Sequence, residues 1–229
     1  ADHYRRTAFD IGEWGLGFMT TSLTLGCDCL GEIRYLDAVL HDSSGEPYTI
    51  ANAICIHEED NAVLWKHVDH DIGAEVRRMR RLTLSFHVTV ANYEYLTYWR
   101  FYEDGNIECE VRATGIMVVS HFPEGGSHPH GTLVDQRTYA PFHQHFIVAR
   151  MDLDVDGENN TVYRSETQMV PTGPDNPYGL SLRQVNTPLR TEAEGKQDPH
   201  YPTQRSWKVV NDNVKTGLGT SPSYKLVAS

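Results

Sequence analysis

At 229 residues, with 39% hydrophobic and 22% charged residues, the chain has the make-up of an ordinary globular protein long enough to bury a sizeable core. Its formal net charge of −11 argues against nucleic acid or an anionic membrane surface as a partner, since both would repel it, and favours cationic or amine-bearing small molecules. No run approaches the roughly eighteen apolar residues of a membrane span. The start, Ala1-Asp2-His3-Tyr4-Arg5-Arg6, has no apolar stretch behind it to make a signal peptide, so a soluble, cytoplasmic location is expected. The chain opens in a polar segment and closes on Tyr224-Lys225-Leu226-Val227, which reads as the beginning of a strand, so a piece of a larger domain is expected.

In chain order, residues 11–26 are rich in Gly, Thr, Ser and Leu without a helical stripe and read as short strands and turns. Gly31 to Leu40 reads as a strand, Asp42-Ser43-Ser44-Gly45 as a turn, and Ala53 to Trp65 is ambiguous, with the acidic cluster Glu58-Glu59-Asp60 inside it. From Arg81 the alternation is strict, with Leu82, Leu84, Phe86, Val88 and Val90 on one face and Thr83, Ser85, His87 and Thr89 on the other. That period of two is the mark of a half-buried strand. It ends in the tyrosine-rich stretch Val90-Ala91-Asn92-Tyr93-Glu94-Tyr95.

Tyr98 to Tyr102, the Asp104-Gly105 turn and Ile107 to Ala113 predict a β-hairpin. Phe142 to Val155 reads as a further strand, turned by Asp156-Gly157 into Thr161-Val162-Tyr163. Residues 170–205 carry many Pro, Gly, Asn and Thr and read as loops around one strand, before a short strand over Ser206 to Val210. Many strands with turns every 8–12 residues predict an all-β fold, a β-sandwich of packed sheets.

Three constellations carry chemistry. In a strand, residues two apart share a face, so His143 and His145 of Pro141-Phe142-His143-Gln144-His145 would present two imidazoles side by side, a pair suited to Cu(II), Zn or Fe. Taken alone, two satisfied or solvent-facing histidines explain the pair as well, and His128-Pro129-His130 in a Gly/Pro loop reads as a decoy. Met151 to Gly157 begins like an EF-hand loop, but its twelfth position is Tyr163 and no helices flank it, so an EF-hand is rejected. The alternating carboxylates Asp152 and Asp154 leave a hard-cation site or a solvated edge strand as readings. Asp10, set among Phe9, Ile11 and Trp14, has neighbours that would desolvate a carboxyl and raise its pKa toward that of a general base, although an acid at this place more often caps a turn. The four cysteines, Cys27, Cys29, Cys55 and Cys109, do not match a zinc spacing; buried free thiols and one disulfide from the 27/29 pair to Cys55 both remain open.

Taken together, the residues resemble the catalytic domain of a copper amine oxidase. The family's Asn-Tyr-Asp/Glu-Tyr motif matches Asn92-Tyr93-Glu94-Tyr95, its His-x-His copper ligands match His143 and His145, and its Asp-x-Gly-Glu/Asp-aromatic segment matches Asp10-Ile11-Gly12-Glu13-Trp14. Further stretches agree in order and spacing: Leu25 to Cys29, Ile54 to Asp60, Ala113-Thr114-Gly115 and Arg150 to Gly157.

The resemblance implies that residues 1–229 form part of that catalytic domain, with smaller upstream domains and a C-terminal part, including the third copper histidine, outside the chain. It implies a topaquinone formed from Tyr93 with copper(II) on His143 and His145, Asn92 orienting the ring and Asp10 taking a proton from the substrate. A quinone carbonyl is an electrophile toward a primary amine, and O2 would reoxidise it. The products would be aldehyde, ammonia and hydrogen peroxide. The resemblance also implies a Cys29–Cys55 disulfide, a calcium-type site on the Asp152 and Asp154 side chains and the Leu153 carbonyl, and a homodimer. Ala8 is expected to line the substrate channel, its small side chain leaving room for a bulky amine. The alternative is a metal-binding β-sandwich module without catalysis.

Overall fold

The computed structural model describes residues 10–227. The chain divides into two compact units, residues 1–147 and 148–229. Antiparallel sheets dominate both, so the expected all-β class holds.

In the first unit, residues 11–26 do not form the short strands expected. They make two single-turn 3-10 helices, Ile11–Trp14 and Leu16–Met19, the first capped by the Asp10 carboxylate. Then follow β1 (Arg34–His41), β2 (Pro47–Asp69), β3 (Gly73–Val90), β4 (Tyr93–Tyr102) and β5 (Ile107–Gly115), which form one antiparallel sheet in sequence order. Three short strands, β6 (Ser120–His121), β7 (Gly131–Asp135) and β8 (Thr138–Pro141), make a second sheet in the order β6-β8-β7.

The ambiguous stretch from Ala53 to Trp65 is the middle of β2. Its acidic cluster is stable in a strand because β3 sets arginines against it: Arg80 on Glu58 at 2.5 Å, Arg81 on Glu59 at 2.6 Å, and Arg78 on Asp60. The far end of the β2–β3 hairpin is a long two-stranded arm with apolar side chains in the open, Ile72 being 87% exposed and Trp65 and Val68 largely so.

The β3–β4 connection positions everything of interest. Only Ala91 and Asn92 separate the strands, and Val90 pairs with Tyr93, Val88 with Tyr95. Ala91 sits at φ +52°, a left-handed conformation that costs a non-glycine residue about 1–2 kcal/mol. Directly paired residues share a sheet face, so Tyr93 and Tyr95 lie on the Val88/Val90 side. Val88, Val90 and Tyr95 form a buried cluster against which Ile11, Met19, Phe86, Tyr93 and Val111 pack. Full burial of each such side chain stabilises by about 1.5–3 kcal/mol.

The opposite face is buried too, which the simple alternation does not predict. Thr83, Ser85 and His87 are more enclosed than Leu82, and burial holds the His87 imidazole below its ordinary pKa. On this face Arg100, 3% exposed, reaches Glu108 at 2.5 Å and Glu110 at 2.6 Å. A guanidinium so enclosed needs carboxylate partners to offset its lost hydration.

In the second unit, β9 (Thr161–Met169), β10 (Leu182–Pro188), β11 (Ser206–Val210) and β12 (Ser223–Leu226) form a sheet in the order β10-β9-β11-β12, with one helical turn, α1 (Glu192–Gly195), in the connection. The strand expected over Phe142 to Val155 does not form. Pro141 ends β8 without an N–H to offer, and the Val155 backbone is held by side chains instead: its N–H donates to Asn160 Oδ1 at 2.9 Å and its carbonyl accepts from Asn211 Nδ2 at 3.0 Å.

Two outcomes follow from the sheet. Hydrogen bonds from Arg112 and, despite some burial, from Arg100 hold Glu110 at about 2 rather than the ordinary 4.5. A depressed carboxylate pKa stabilises the fold above the unfolded value and loses that contribution as pH falls through the folded one. Glu110→Gln is therefore expected to flatten the decline of urea-unfolding stability between about pH 4.5 and about pH 2; an unchanged slope there would refute the assignment. Gly115 pairs with Tyr93 at φ +109°, where a Cβ would stand 2.5 Å from the Asn92 carbonyl oxygen and 3.0 Å from Tyr93 Cα. Gly115→Ala is expected to cost about 2–4 kcal/mol in chemical denaturation, from backbone strain plus the clash.

Candidate functional site

Tyr93 is the first residue after the two-residue turn, half-buried, with its ring on the core face of the sheet. Its hydroxyl lies 2.7 Å from His143 Nε2. The Nδ1 of the same ring lies 2.9 Å from the Pro141 carbonyl oxygen. A carbonyl only accepts, so the neutral His143 ring carries its proton on Nδ1 and receives the Tyr93 O–H on the Nε2 lone pair. That lone pair is the one a metal would take.

His145 stands beside it. Its ring meets Tyr93 edge to face at 4.9 Å between centroids and lies 5.1 Å from the His143 ring. Its Nδ1 is 2.7 Å from the hydroxyl of Tyr95, a residue only 6% exposed whose phenol pKa is pushed up first by burial and then by Tyr93. The two imidazoles thus share a place as expected, although not because they lie in a ladder strand. Pro141 stops β8, and the irregular segment after it lets both rings fall onto the β4 tyrosines. A hollow of about 270 Å³ opens there, lined by Tyr93, His145 and residues 113–117. A larger hollow of about 490 Å³, between residues 121–123 and 136–138, contains none of these four side chains.

The other expected residues are placed less simply. Asp10 is exposed rather than desolvated, and its Oδ1 accepts from the Gly12 N–H at 2.8 Å. Ile11, not Asp10, turns into the cluster that Tyr93 packs on, which explains how an apolar flank leaves the acid outside. That packing still brings the acid's segment to the face of the sheet that carries Tyr93. Asn92 is exposed and contributes its carbonyl, which accepts from Ile116 N at 2.7 Å. Ala8 lies outside the described residues.

Cys29 and Cys55 stand as neighbouring free thiols, so the expected disulfide is not shown. Burial, followed by the adjoining Cys29, pushes the Cys55 thiol up to about 12. Asp152 and Asp154 are exposed on either side of Leu153. Among the described residues no three His, Cys, Asp or Glu side chains gather as a metal cluster, there or at the histidine pair. His128 stacks on Phe122 at 5.0 Å between ring centroids. Reading by motif passed over Tyr95 and Pro141. The signal for Tyr95 was its spacing of two from Tyr93 on one strand face, and for Pro141 a proline just ahead of the histidines.

The copper and quinone chemistry that the motif implies can be tested on this donor set. Two neutral imidazoles with one ring nitrogen each already engaged, and with a phenol on the Nε2 of one of them, suit a copper(II) ion next to an oxidisable tyrosine.

Comparison with known proteins bears on the same point. Residues 1–229 match the family model described as copper amine oxidase, enzyme domain. The chain is 44% identical over 226 residues to a primary amine oxidase of Arthrobacter sp. (strain P1), covering 97% of this chain and 34% of that protein. It is 45% identical over 230 residues to a peroxisomal copper-containing diamine oxidase of Nicotiana tabacum, covering 98% and 29%. The fold superposes on that of a copper-containing benzylamine oxidase from Hansenula polymorpha with a TM-score of 0.81 at 35% identity, over 95% of this chain and 35% of the other, and so has its all-β sandwich class. The chain spans about a third of the length of the relatives it matches. Among the described residues no helix is long and apolar enough to cross a membrane. With the enzyme-domain family model matched over residues 1–229, the chain belongs to the copper amine oxidase family.

Proposed function

We propose that this chain is the part of a primary-amine oxidase that carries the cofactor tyrosine, two copper ligands and the base. The reaction is oxidative deamination, R-CH2-NH2 + O2 + H2O → R-CHO + NH3 + H2O2. One observation carries the reading: the Tyr93 hydroxyl donates to His143 Nε2 at 2.7 Å, with His145 edge-on to the same ring. His143 and His145 would hold copper(II), the third ligand coming from beyond this chain. When bound, the metal with O2 would supply the oxidation of Tyr93 to topaquinone, and the quinone would supply the electrophile and electron sink for the amine.

The chain's own residues have distinct tasks in this reading. The Val90–Tyr93 and Tyr93–Gly115 pairings fix where the Tyr93 ring points. The Tyr93 O–H sits on the His143 Nε2 lone pair that copper(II) would take, so the phenol would give up that hydrogen bond when the metal binds. The Asn92 carbonyl, tied to Ile116 N, holds the turn under the ring. Asp10 uses Oδ1 in its cap, which leaves Oδ2 to take the proton from the substrate's α-carbon. Ala8 would line the approach to that base.

The same reading includes a Cys29–Cys55 disulfide, supported by the approach of the two thiols, and a calcium-type site at Asp152, Leu153 and Asp154, supported by two exposed carboxylates flanking one carbonyl. It also includes a homodimer. The exposed apolar arm at the end of the β2–β3 hairpin supports that arrangement, since a second copy would take Trp65, Val68 and Ile72 out of water.

Redox-cycling quinone stain on the copper-loaded full-length protein is expected to be positive in wild type and absent in Tyr93→Phe, with amine turnover falling to background. A wild-type chain with no stain and an unmodified Tyr93 mass would leave a metal-binding module without catalysis. Asp10→Asn is expected to keep the stain and to lose about 10²–10⁴-fold in kcat, the usual contribution of a positioned base; normal turnover in that variant refutes the assignment of the base.

A further inference from the structure

The two histidines of the site are anchored in parallel ways, and one of the anchors has no part in the function proposed so far. His143 Nδ1 donates to the Pro141 carbonyl at 2.9 Å, which settles its tautomer and leaves the lone pair on Nε2, where it accepts the Tyr93 O–H. The corresponding atom of His145, Nδ1, meets the hydroxyl of Tyr95 at 2.7 Å. A phenol oxygen accepts as readily as it donates. With Nδ1–H donating to Tyr95 Oη, His145 takes the same tautomer as His143, and both rings present Nε2.

Three observations make Tyr95 more than an incidental neighbour. Its ring is 6% exposed, and its backbone pairs with Val88 on one side and Ala113 on the other, so its hydroxyl is a fixed point. His145 is exposed and lies in a segment with no ladder hydrogen bonds, so its own backbone does little to orient it. The Tyr95 hydroxyl is the one hydrogen-bond partner that the His145 ring has among the described residues. Remove it, and the imidazole is free to rotate and to exchange tautomers.

We propose that Tyr95 is a positioning residue for the copper centre: its hydroxyl accepts the Nδ1–H of His145, holds that ring edge-on to Tyr93, and turns its Nε2 lone pair toward the metal. This rests on the reading of His143 and His145 as copper ligands. Outer partners of this kind typically change metal affinity by about 10- to 100-fold when removed. The two tyrosines of the Asn-Tyr-Glu-Tyr stretch therefore divide the work, Tyr93 facing His143 and Tyr95 facing His145.

The experiment compares metal-free full-length wild type, Tyr95→Phe, His145→Ala and the double variant. It measures Cu(II) affinity by competition with a chelator, the copper electron paramagnetic resonance spectrum, and the denaturation midpoint of the metal-free protein. Phenylalanine keeps the ring in the core, so Tyr95→Phe is expected to unfold close to wild type while binding copper about 10- to 100-fold more weakly, with altered hyperfine coupling. In the His145→Ala background the same change is expected to add nothing. Wild-type affinity and spectrum in Tyr95→Phe overturn the proposal and leave the copper site standing. A wild type that binds copper no better than His145→Ala overturns the copper reading, and this proposal with it. Should Tyr95→Phe fail to fold, nitrogen-15 resonances of metal-free wild type decide: His145 protonated on Nδ1 supports the assignment, and protonation on Nε2 overturns it.

Discussion

The register of β3 against β4 is the constraint on which the rest of the site depends. With Ala91 and Asn92 as the entire turn, Val90 must face Tyr93 and Val88 must face Tyr95. Side chains alternate along a strand, so a slip of β4 by one residue would send both phenols to the other face, away from Val88 and Val90. The apolar cluster of Val88, Val90 and Tyr95 opposes that slip, because it would take Tyr95 off the two valines. Hydrophobic burial and placement of the reactive tyrosine are thus one requirement. The strained Ala91 and the side-chain-free Gly115 are concessions the backbone makes to keep it.

Electrostatics divides the same sheet. One face carries phenols and imidazoles close enough to exchange protons, with no formal charge among them. The other carries an arginine and carboxylate lattice from Glu59 through Arg81 and Arg100 to Glu108 and Glu110. Separating them matters for chemistry at Tyr93: a guanidinium beside the histidine pair would repel a metal cation and pin the phenol as an anion, whereas neutral rings leave both choices to the metal. The salt links therefore stabilise the strand pairing from the side where they do not disturb the site.

Much of this was legible in the residues themselves. The period-two run from Leu82 to Val90, the Asp104-Gly105 turn and the final strand at Ser206–Val210 all appear as read. Local pattern went astray where a distant partner intervened. The acidic stretch of β2 looked unlike a strand until the arginines of β3 were set against it. The His-x-His stretch looked like a strand because its residues alternate, yet Pro141 and the asparagine clamps on Val155 keep it out of any ladder. Of the two readings of Asp10, a desolvated base and a turn cap, the cap is what forms: a one-turn helix rotates Ile11 inward and the carboxylate accepts from Gly12 N.

By itself the sequence determined the all-β class, the hairpins that build the main sheet, and the order of acid, tyrosine and histidine pair along the chain. These follow from alternation, turn residues and motif, which are local properties. Tertiary structure alone decided that His143 meets Tyr93 and His145 meets Tyr95, contacts made across 50 residues of chain. It also set a carbonyl against His143 Nδ1, which puts that ring's lone pair on Nε2. No local rule reaches that far, because the outcome depends on where β8 ends and on which face of β4 is buried, and only the packed sheet settles both.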